Sequence, residues 1–149
     1  MLKDWNKVEQ PTAEEVDKRL DNAKNSLLQQ QIAMKEKKLP VIVLLEGWGA
    51  AGKGSVLGKL IKNIDPRFFK VAVMDEPTEE EKRKPFLYRH FVKIPEAGKF
   101  VFMDSGWMSE VTSQKLSGEL SEEEYKKRIE SIKRFERQLT DNGYLLLKF

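Results

Sequence analysis

The sequence of 149 residues contains no cysteine and a single histidine, His90. Without cysteine, disulfide bonds, thiolate metal sites and a cysteine nucleophile are all excluded. One histidine also excludes any site that needs two. The sequence also lacks a large excess of charge of either sign: 27 basic residues are nearly balanced by 24 acidic ones, for a net charge of +3. This balance does not indicate a protein dedicated to binding nucleic acid.

Long apolar runs are also absent from the sequence. The longest, Val41–Leu45, has the length of a strand, so no membrane-spanning segment is predicted. The N-terminal residues MLKDWNKVEQ lack the apolar segment of a secretory signal. We therefore expect a cytoplasmic protein with no membrane association. Its length fits a single domain over residues 1–149, with an N-terminal helix at 12–38 and a core at 41–149.

The rest of the pattern alternates strands with helices. Apolar runs predict four strands, at Val41–Leu45, at 69–74, at KFVFMD and at YLLLKF. Capping boxes, in which Thr or Ser is followed three residues later by Glu, predict helix starts at Thr12, Thr78 and Ser121. The expected helices cover 12–38, 52–64, a segment opened by PTEEE that either tolerates Pro85 or restarts there, and 121–142. This order predicts an α/β fold with a parallel sheet flanked by helices.

A glycine-rich turn lies between the first strand and its helix, in VIVLLEGWGAAGKGSVLGKL. Glycines there allow backbone N–H groups to turn inward at a helix start, and Lys53 can reach terminal phosphates. The alternative is an ordinary strand-to-helix turn that ends in lysine. The position after an apolar strand favours phosphate binding by Gly47, Trp48, Gly49, Ala50, Ala51, Gly52, Lys53, Gly54 and Ser55.

This loop lacks the hydroxyl that usually follows the lysine and helps to hold Mg²⁺, because the next residue is Gly54. Ser55 is one residue later, which on a helix is a rotation of about 100°, so it is a poor substitute. Asp104, at the end of an apolar strand, is the candidate Mg²⁺ ligand. The alternative is that Asp104 only caps the following helix. Together with the loop, metal coordination is the favoured interpretation.

Basic residues outside the loop give a weaker signal. Arg67, Arg83, Lys84 and Arg89 could line a phosphate channel, but EEEKRK is equally typical of a solvated helix face. His90 follows Arg89 in an apolar helical segment, which favours a structural histidine over a catalytic base.

Several stretches together resemble the polyphosphate kinase 2 family of P-loop phosphotransferases. They are EGWGAAGKG, DPRFFKV, EPTEEEKRKPFLYRHFVKIPEAGK, FVFMDSGWM and FERQLTDNGYLLLKF, in this order within residues 41–149. The resemblance implies a fold similar to thymidylate kinase. It also implies phosphoryl transfer between inorganic polyphosphate and a nucleoside mono- or diphosphate, with Mg²⁺, in a homo-oligomer. By position, Lys53 and Asp104 would be catalytic, Asp104 would hold Mg²⁺, and Arg67 and Arg89 would bind phosphate.

Three positions depart from the family pattern. Gly49 stands where family members commonly have Asp. Ser105 replaces the arginine of the family, and Glu110 stands where many members have a further arginine. The chain also ends before the segment of the family's mobile lid helix, so we expect it to be truncated at its C-terminus. Loss of positive charge at a phosphate site removes transition-state stabilisation, of about 3–4 kcal/mol per donor.

These departures leave three functional hypotheses. The first is the polyphosphate-dependent nucleotide kinase, with AMP, ADP and guanine nucleotides all open as acceptors. The second is a catalytically degenerate domain that binds polyphosphate or organises the dimer of a larger tandem-domain enzyme. The third, an ordinary nucleotide kinase or ATPase, is disfavoured by Gly54 and by the family blocks outside the loop.

Overall fold

The computed structural model describes residues 11–62 and 64–149. Four strands are present in this part of the chain: β1 (Val41–Leu45), β2 (Phe69–Val73), β3 (Phe100–Asp104) and β4 (Leu145–Lys148). The helices are α1 (Ala13–Glu36), α2 (Lys53–Ile61), α3 (Glu79–Lys82), α4 (Tyr88–Phe91), α5 (Trp107–Leu116) and α6 (Glu122–Asp141), with one 3₁₀ turn at Pro66–Phe68.

The strands form one parallel sheet in the order β2-β3-β1-β4. In the register of β1 with β3, Leu45 lies opposite Asp104, and the amide of Ser105 donates to the carbonyl of Leu45 at 3.1 Å. All five residues of β1 are buried, as expected for a parallel strand covered on both faces. The predicted α/β fold is confirmed. Its topology brings the carboxyl ends of β1 and β3 side by side.

Two apolar clusters cover the two faces of the sheet, because successive strand side chains point to opposite faces. One contains Ile42, Leu44, Val101, Met103, Trp107 and apolar residues of α6. The other contains Val41, Val43, Leu45, Phe100 and Phe102, against which α1 and α2 pack through Leu27, Met34 and Leu57.

The three predicted capping boxes are present at Thr12, Thr78 and Ser121. Two of the helices they start are shorter than the sequence suggested, since α1 ends at Glu36 and α3 has a single turn. The third, α6, runs between the caps Ser121 and Asn142, as predicted. The helix expected over 52–64 ends at Ile61, and residue 63 lies outside the described residues. Residues 1–10 of the expected domain also lie outside them.

The segment after PTEEE forms two short helices, α3 and α4, on either side of Pro85. Proline disfavours a helical conformation in the residue before it and lacks an N–H group, which explains the break. Helix α5 begins directly after Gly106, and the sequence had given no bounds for it. In the described part of the chain, no helix combines the length and apolar character that a membrane crossing requires.

Candidate phosphate-binding site

The glycine-rich loop connects β1 to α2 at the carboxyl edge of the sheet. Gly47 has φ of 149°, and a Cβ there would lie 3.2 Å from the Cβ of Ala51. Gly52 is the N-cap of α2 and has φ of 84°, in the left-handed region that favours glycine. No side chain caps the start of α2, so its first N–H groups remain suited to an anion.

Lys53 is the first residue of α2 and its side chain folds back over the loop. The ammonium Nζ donates to the carbonyl of Gly47 at 2.9 Å and to that of Trp48 at 3.1 Å. These two contacts hold the positive charge beside the first residues of the loop. The loop therefore combines a helix N-terminus with a nearby cation, both of which attract phosphate.

A cavity of about 560 Å³ lies beside this loop, at the carboxyl ends of β1 and β3. Ligands of open parallel sheets commonly bind at this edge. Five of the predicted phosphate-binding residues line the cavity: Gly47, Trp48, Gly49, Lys53 and Arg89. Most of the other wall residues come from the segment through α5, including Ser105, Met108, Ser109, Glu110, Thr112, Ser113 and Gln114. Trp48 is 74% exposed.

Other predicted loop residues complete the turn and the helix start without lining the cavity. They are Ala50, Ala51, Gly52, Gly54 and Ser55. Gly54 and Ser55 belong to the first turn of α2 and are exposed.

Arg89 is brought to this cavity from α4 and is only 5% exposed. Its guanidinium donates to the carbonyl of Asp75 and lies 3.8 Å from carboxylate oxygens of both Glu81 and Glu110. Arg83 and Lys84 stay on the exposed surface. Arg89 is thus the basic residue outside the loop that joins Lys53 at the cavity wall.

Arg67 is placed elsewhere. Its side chain is 80% exposed and donates to both carboxylate oxygens of Asp65, the shortest contact being 2.6 Å. These hydrogen bonds lower the pKa of Asp65 to about 2. Arg67 does not line the cavity that contains Lys53 and Arg89.

Asp104 ends β3 and is partly buried, opposite Leu45 in the sheet. It does not cap α5: the N-cap is Gly106, and the first amides of this helix donate to Glu46 instead. Asp104 does not line the cavity, whereas the next residue, Ser105, does. Among residues 11–62 and 64–149, no three acidic or histidine side chains gather into a group that could hold a metal ion.

The sequence reasoning missed Glu46, the residue between β1 and Gly47. Its carboxylate accepts hydrogen bonds from the amide of Ser109 at 3.1 Å, from the hydroxyl of Ser109, and from the amide of Gly106 at 3.4 Å. The available signal was an acidic residue at the carboxyl end of a buried strand, directly before the first glycine. At that position the side chain reaches the start of α5, which follows the neighbouring strand β3.

Glu110 was interpreted from the sequence only as lost positive charge. The structure adds that its Oε2 lies 3.0 Å from Nε2 of His90, which is completely buried, and 3.8 Å from the guanidinium of Arg89. His90 also packs edge-on against Trp107, which supports its structural interpretation. Glu110 is therefore, with Glu81, one of two counter-charges of the buried Arg89, and it is the hydrogen-bond partner of the buried histidine.

We expect Glu110→Arg to lower the free energy of unfolding by about 2–4 kcal/mol, because it places two guanidinium groups together where little solvent reaches them. Chemical denaturation followed by far-UV circular dichroism measures this change. Glu119→Arg is the matched control, since Glu119 lines the same cavity but is exposed, and its expected effect is below about 0.5 kcal/mol. Equal effects of the two variants would contradict the role given to Glu110.

The chain is similar in sequence to known proteins over most of its length. A family model described as Polyphosphate kinase 2 (PPK2) matches residues 10–149. The chain is 34% identical over 113 residues to a polyphosphate:AMP phosphotransferase of Pseudomonas syringae pv. tomato, covering 76% of this chain and 23% of that protein. It is 32% identical over 127 residues to ADP-polyphosphate phosphotransferase 3 of Rhizobium meliloti, covering 82% of this chain and 45% of that protein.

Solved structures give the same result. A crystal structure of a polyphosphate kinase 2 from Pseudomonas aeruginosa PA01 matches 95% of this chain and 31% of its own, with a TM-score of 0.88 and 29% identity. The chain thus spans less than half the length of these relatives. All residues that line the cavity fall within the range matched by the family model.

Proposed function

Because the chain belongs to the polyphosphate kinase 2 family, we propose that it transfers phosphoryl groups between inorganic polyphosphate and a nucleoside mono- or diphosphate. A phosphate oxygen of the nucleotide bonds to the terminal phosphorus of the polyphosphate while the bond to the bridging oxygen breaks. The polyphosphate shortens by one unit, and the reverse reaction lengthens it. Relatives described as acting on AMP and on ADP support both acceptor classes.

One observation carries this proposal: Lys53 and Arg89 line a single cavity at the carboxyl edge of the sheet. Phosphoryl transfer requires little covalent chemistry from the protein, and its catalysis is mainly positioning and charge stabilisation. Lys53, held over the loop, would contact the transferred group, and the buried guanidinium of Arg89 would bind a phosphate oxygen. We further propose that Arg67, on the exposed surface, contacts a more distant part of the polyphosphate.

We propose that Mg²⁺ accompanies the phosphate substrates and that the protein supplies few of its ligands. Mg²⁺ is usually held by one or two carboxylates, with water and substrate phosphates completing its ligands. Asp104 supplies one carboxylate at the strand end next to the loop, and we propose that it holds the ion. When bound, Mg²⁺ would neutralise phosphate charge, and the residues of this chain would position the substrates around it.

Asp104→Asn keeps the shape of the side chain and removes its charge. We expect the rate of nucleotide production to fall about 100-fold, with a higher Mg²⁺ concentration needed for half-maximal rate, because the ion loses its carboxylate ligand. Initial rates over a Mg²⁺ titration measure both quantities. Asp141→Asn, at the exposed end of α6, is the control. A variant with the wild-type Mg²⁺ dependence would exclude Asp104 as the ligand.

The cavity also favours a second candidate function. Five acidic residues line it, against the two cations Lys53 and Arg89: Glu46, Asp75, Glu76, Glu110 and Glu119. Such a lining opposes a polyanion unless cations accompany it. This excess of negative charge is unfavourable for stabilising the transferred phosphoryl group. The second candidate is therefore a domain without turnover of its own, which organises a dimer within a longer protein or binds polyphosphate together with its counter-ions.

The deciding experiment incubates the purified chain with polyphosphate, Mg²⁺ and AMP, ADP or GDP, and measures the nucleotide products by chromatography. Products that require polyphosphate establish the transfer reaction and identify the acceptor. Binding of polyphosphate without product would establish the second candidate. ATP hydrolysis that is indifferent to polyphosphate would contradict both.

We also propose a cytoplasmic homo-oligomer. Apolar surface on α1 supports the homo-oligomer, since Val16, Leu20, Leu28 and Ile32 are between 38% and 61% exposed. Sedimentation analysis of the purified chain measures its oligomeric state.

A further inference from the structure

Glu46 connects three parts of the molecule. Its own amide donates to the carbonyl of Phe149 at 2.7 Å, beyond the end of β4. Its carboxylate accepts from Ser109 and Gly106 at the start of α5. The next residue along the chain is Gly47, the first residue of the phosphate loop. A single residue therefore joins the loop to the helix that forms much of the opposite cavity wall.

The space for this carboxylate depends on Gly106. A Cβ at Gly106 would lie 2.5 Å from Oε1 of Glu46 and 3.1 Å from a methyl group of Leu44. Gly106 has φ of −96° and ψ of −166°, an extended conformation that any residue adopts. Glycine at this position thus leaves space for the Glu46 carboxylate, which a larger residue would displace, and its backbone freedom is not required. The site is shaped around the Glu46 carboxylate.

The charge of Glu46 argues against a simple role in attracting phosphate. A carboxylate beside the phosphate loop repels anions, and the buried Oε1 has no hydrogen-bond partner in the part of the chain that the structure describes. The compensating interactions are the hydrogen bonds at the N-terminus of α5, where the helix dipole favours a negative group. The carboxylate therefore contributes by holding the start of α5 in place through these hydrogen bonds and not by attracting phosphate.

We infer that Glu46 is a positioning residue, which fixes the start of the phosphate loop against α5 and so sets the placement of Lys53 relative to Asp104. Asp104 is two residues before Gly106 in the same strand-to-helix connection, so a hold on Gly106 and Ser109 also holds Asp104. This inference rests on the proposed function, because the placement matters for a site that binds phosphates.

The test compares two variants that are expected to change the affinity for tripolyphosphate in opposite directions. Binding of tripolyphosphate in the presence of Mg²⁺ is measured by isothermal titration calorimetry. Glu46→Gln is expected to weaken binding about tenfold although it removes a negative charge. Glu76→Gln makes the same charge change at an exposed position of the same cavity, and is expected to tighten binding up to about threefold. Tighter binding by Glu46→Gln would overturn the inference.

A double-mutant cycle separates positioning from general destabilisation. Gly106→Ala displaces the Glu46 carboxylate while leaving its charge in place, and is expected to weaken binding as Glu46→Gln does. In a Glu46→Ala background, where no carboxylate is left to displace, Gly106→Ala is expected to cost clearly less, because only its contact with Leu44 at 3.1 Å remains. An equal cost of Gly106→Ala in both backgrounds would contradict the inference. Far-UV circular dichroism confirms that each variant is folded, and Gly106→Ala provides the test if Glu46→Gln is not.

A measurement without ligand tests the positioning role of Glu46 separately from the proposed function. Backbone amide NMR shifts of residues 47–53 are expected to change in both Glu46→Gln and Gly106→Ala, and to remain near wild-type in Glu76→Gln. If wild-type protein fails to bind tripolyphosphate, the proposed function fails, while these shifts still decide whether Glu46 positions the loop. Unchanged loop shifts in both variants would overturn the positioning role.

Discussion

Replacing Lys53 by alanine is expected to lower polyphosphate-dependent nucleotide production by about 10²- to 10³-fold. The ammonium of Lys53 is held over the loop by the carbonyls of Gly47 and Trp48, at 2.9 and 3.1 Å. A fixed cation at this position requires little reorganisation when charge develops on the transferred group. Removing one such donor typically costs about 3–4 kcal/mol in the transition state, and each 1.4 kcal/mol is about a factor of ten in rate.

Initial rates with saturating polyphosphate and nucleotide measure this effect. Lys59→Ala is the matched control, because Lys59 lies on the same helix, carries the same charge and is exposed outside the cavity. The control is expected to retain the wild-type rate within about twofold. If Lys53→Ala were as active as Lys59→Ala, the loop would not be the site of transfer.

Trp107→Ala is expected to lower the free energy of unfolding by about 3–5 kcal/mol. Trp107 has no exposed surface and packs edge-on against Phe135 and His90, with ring centroids 5.2 and 5.8 Å away. Its indole N–H donates to Glu136 at 2.8 Å. Truncation leaves a cavity between the sheet and α6 and removes a hydrogen bond from the partly buried Glu136, and both effects destabilise.

Urea denaturation followed by far-UV circular dichroism measures this loss. Trp48→Ala is the control for stability, since Trp48 is 74% exposed in the loop, and its expected effect is below about 0.5 kcal/mol. A loss below about 1 kcal/mol for Trp107→Ala would mean that α5 is not fixed by this contact.

The elements that the sequence predicted well are those determined by neighbouring residues. A capping box is complete within four residues, and all three were found where Thr12, Thr78 and Ser121 predicted them. Apolar runs predicted the four strands, and their alternation with helices predicted the parallel sheet. Local geometry also decides the glycine turn at Gly52, which has the left-handed conformation of a strand-to-helix connection.

Contacts between distant segments were the part that sequence reasoning did not reach. Glu46 and Ser109 are far apart in sequence and meet only because β1 and β3 are neighbours in the sheet. Glu110 of α5 likewise meets Arg89 and His90 of α4 only when the helices on either side of β3 pack together. Arg67 shows the opposite limit: its pair with Asp65 is local, but it lies before the amino end of β2, at the edge of the sheet opposite the cavity.

The hydrogen bonds at the end of β4 have a consequence for the order of folding. The carbonyl of Phe149 accepts from the amide of Glu46, and the amide of Phe149 donates to Leu44. During synthesis, the phosphate loop therefore emerges from the ribosome long before the residue that anchors its start. Contacts between distant segments form late because closing a long loop costs entropy. A nascent chain would therefore fix the start of this loop only after β4 has paired with β1.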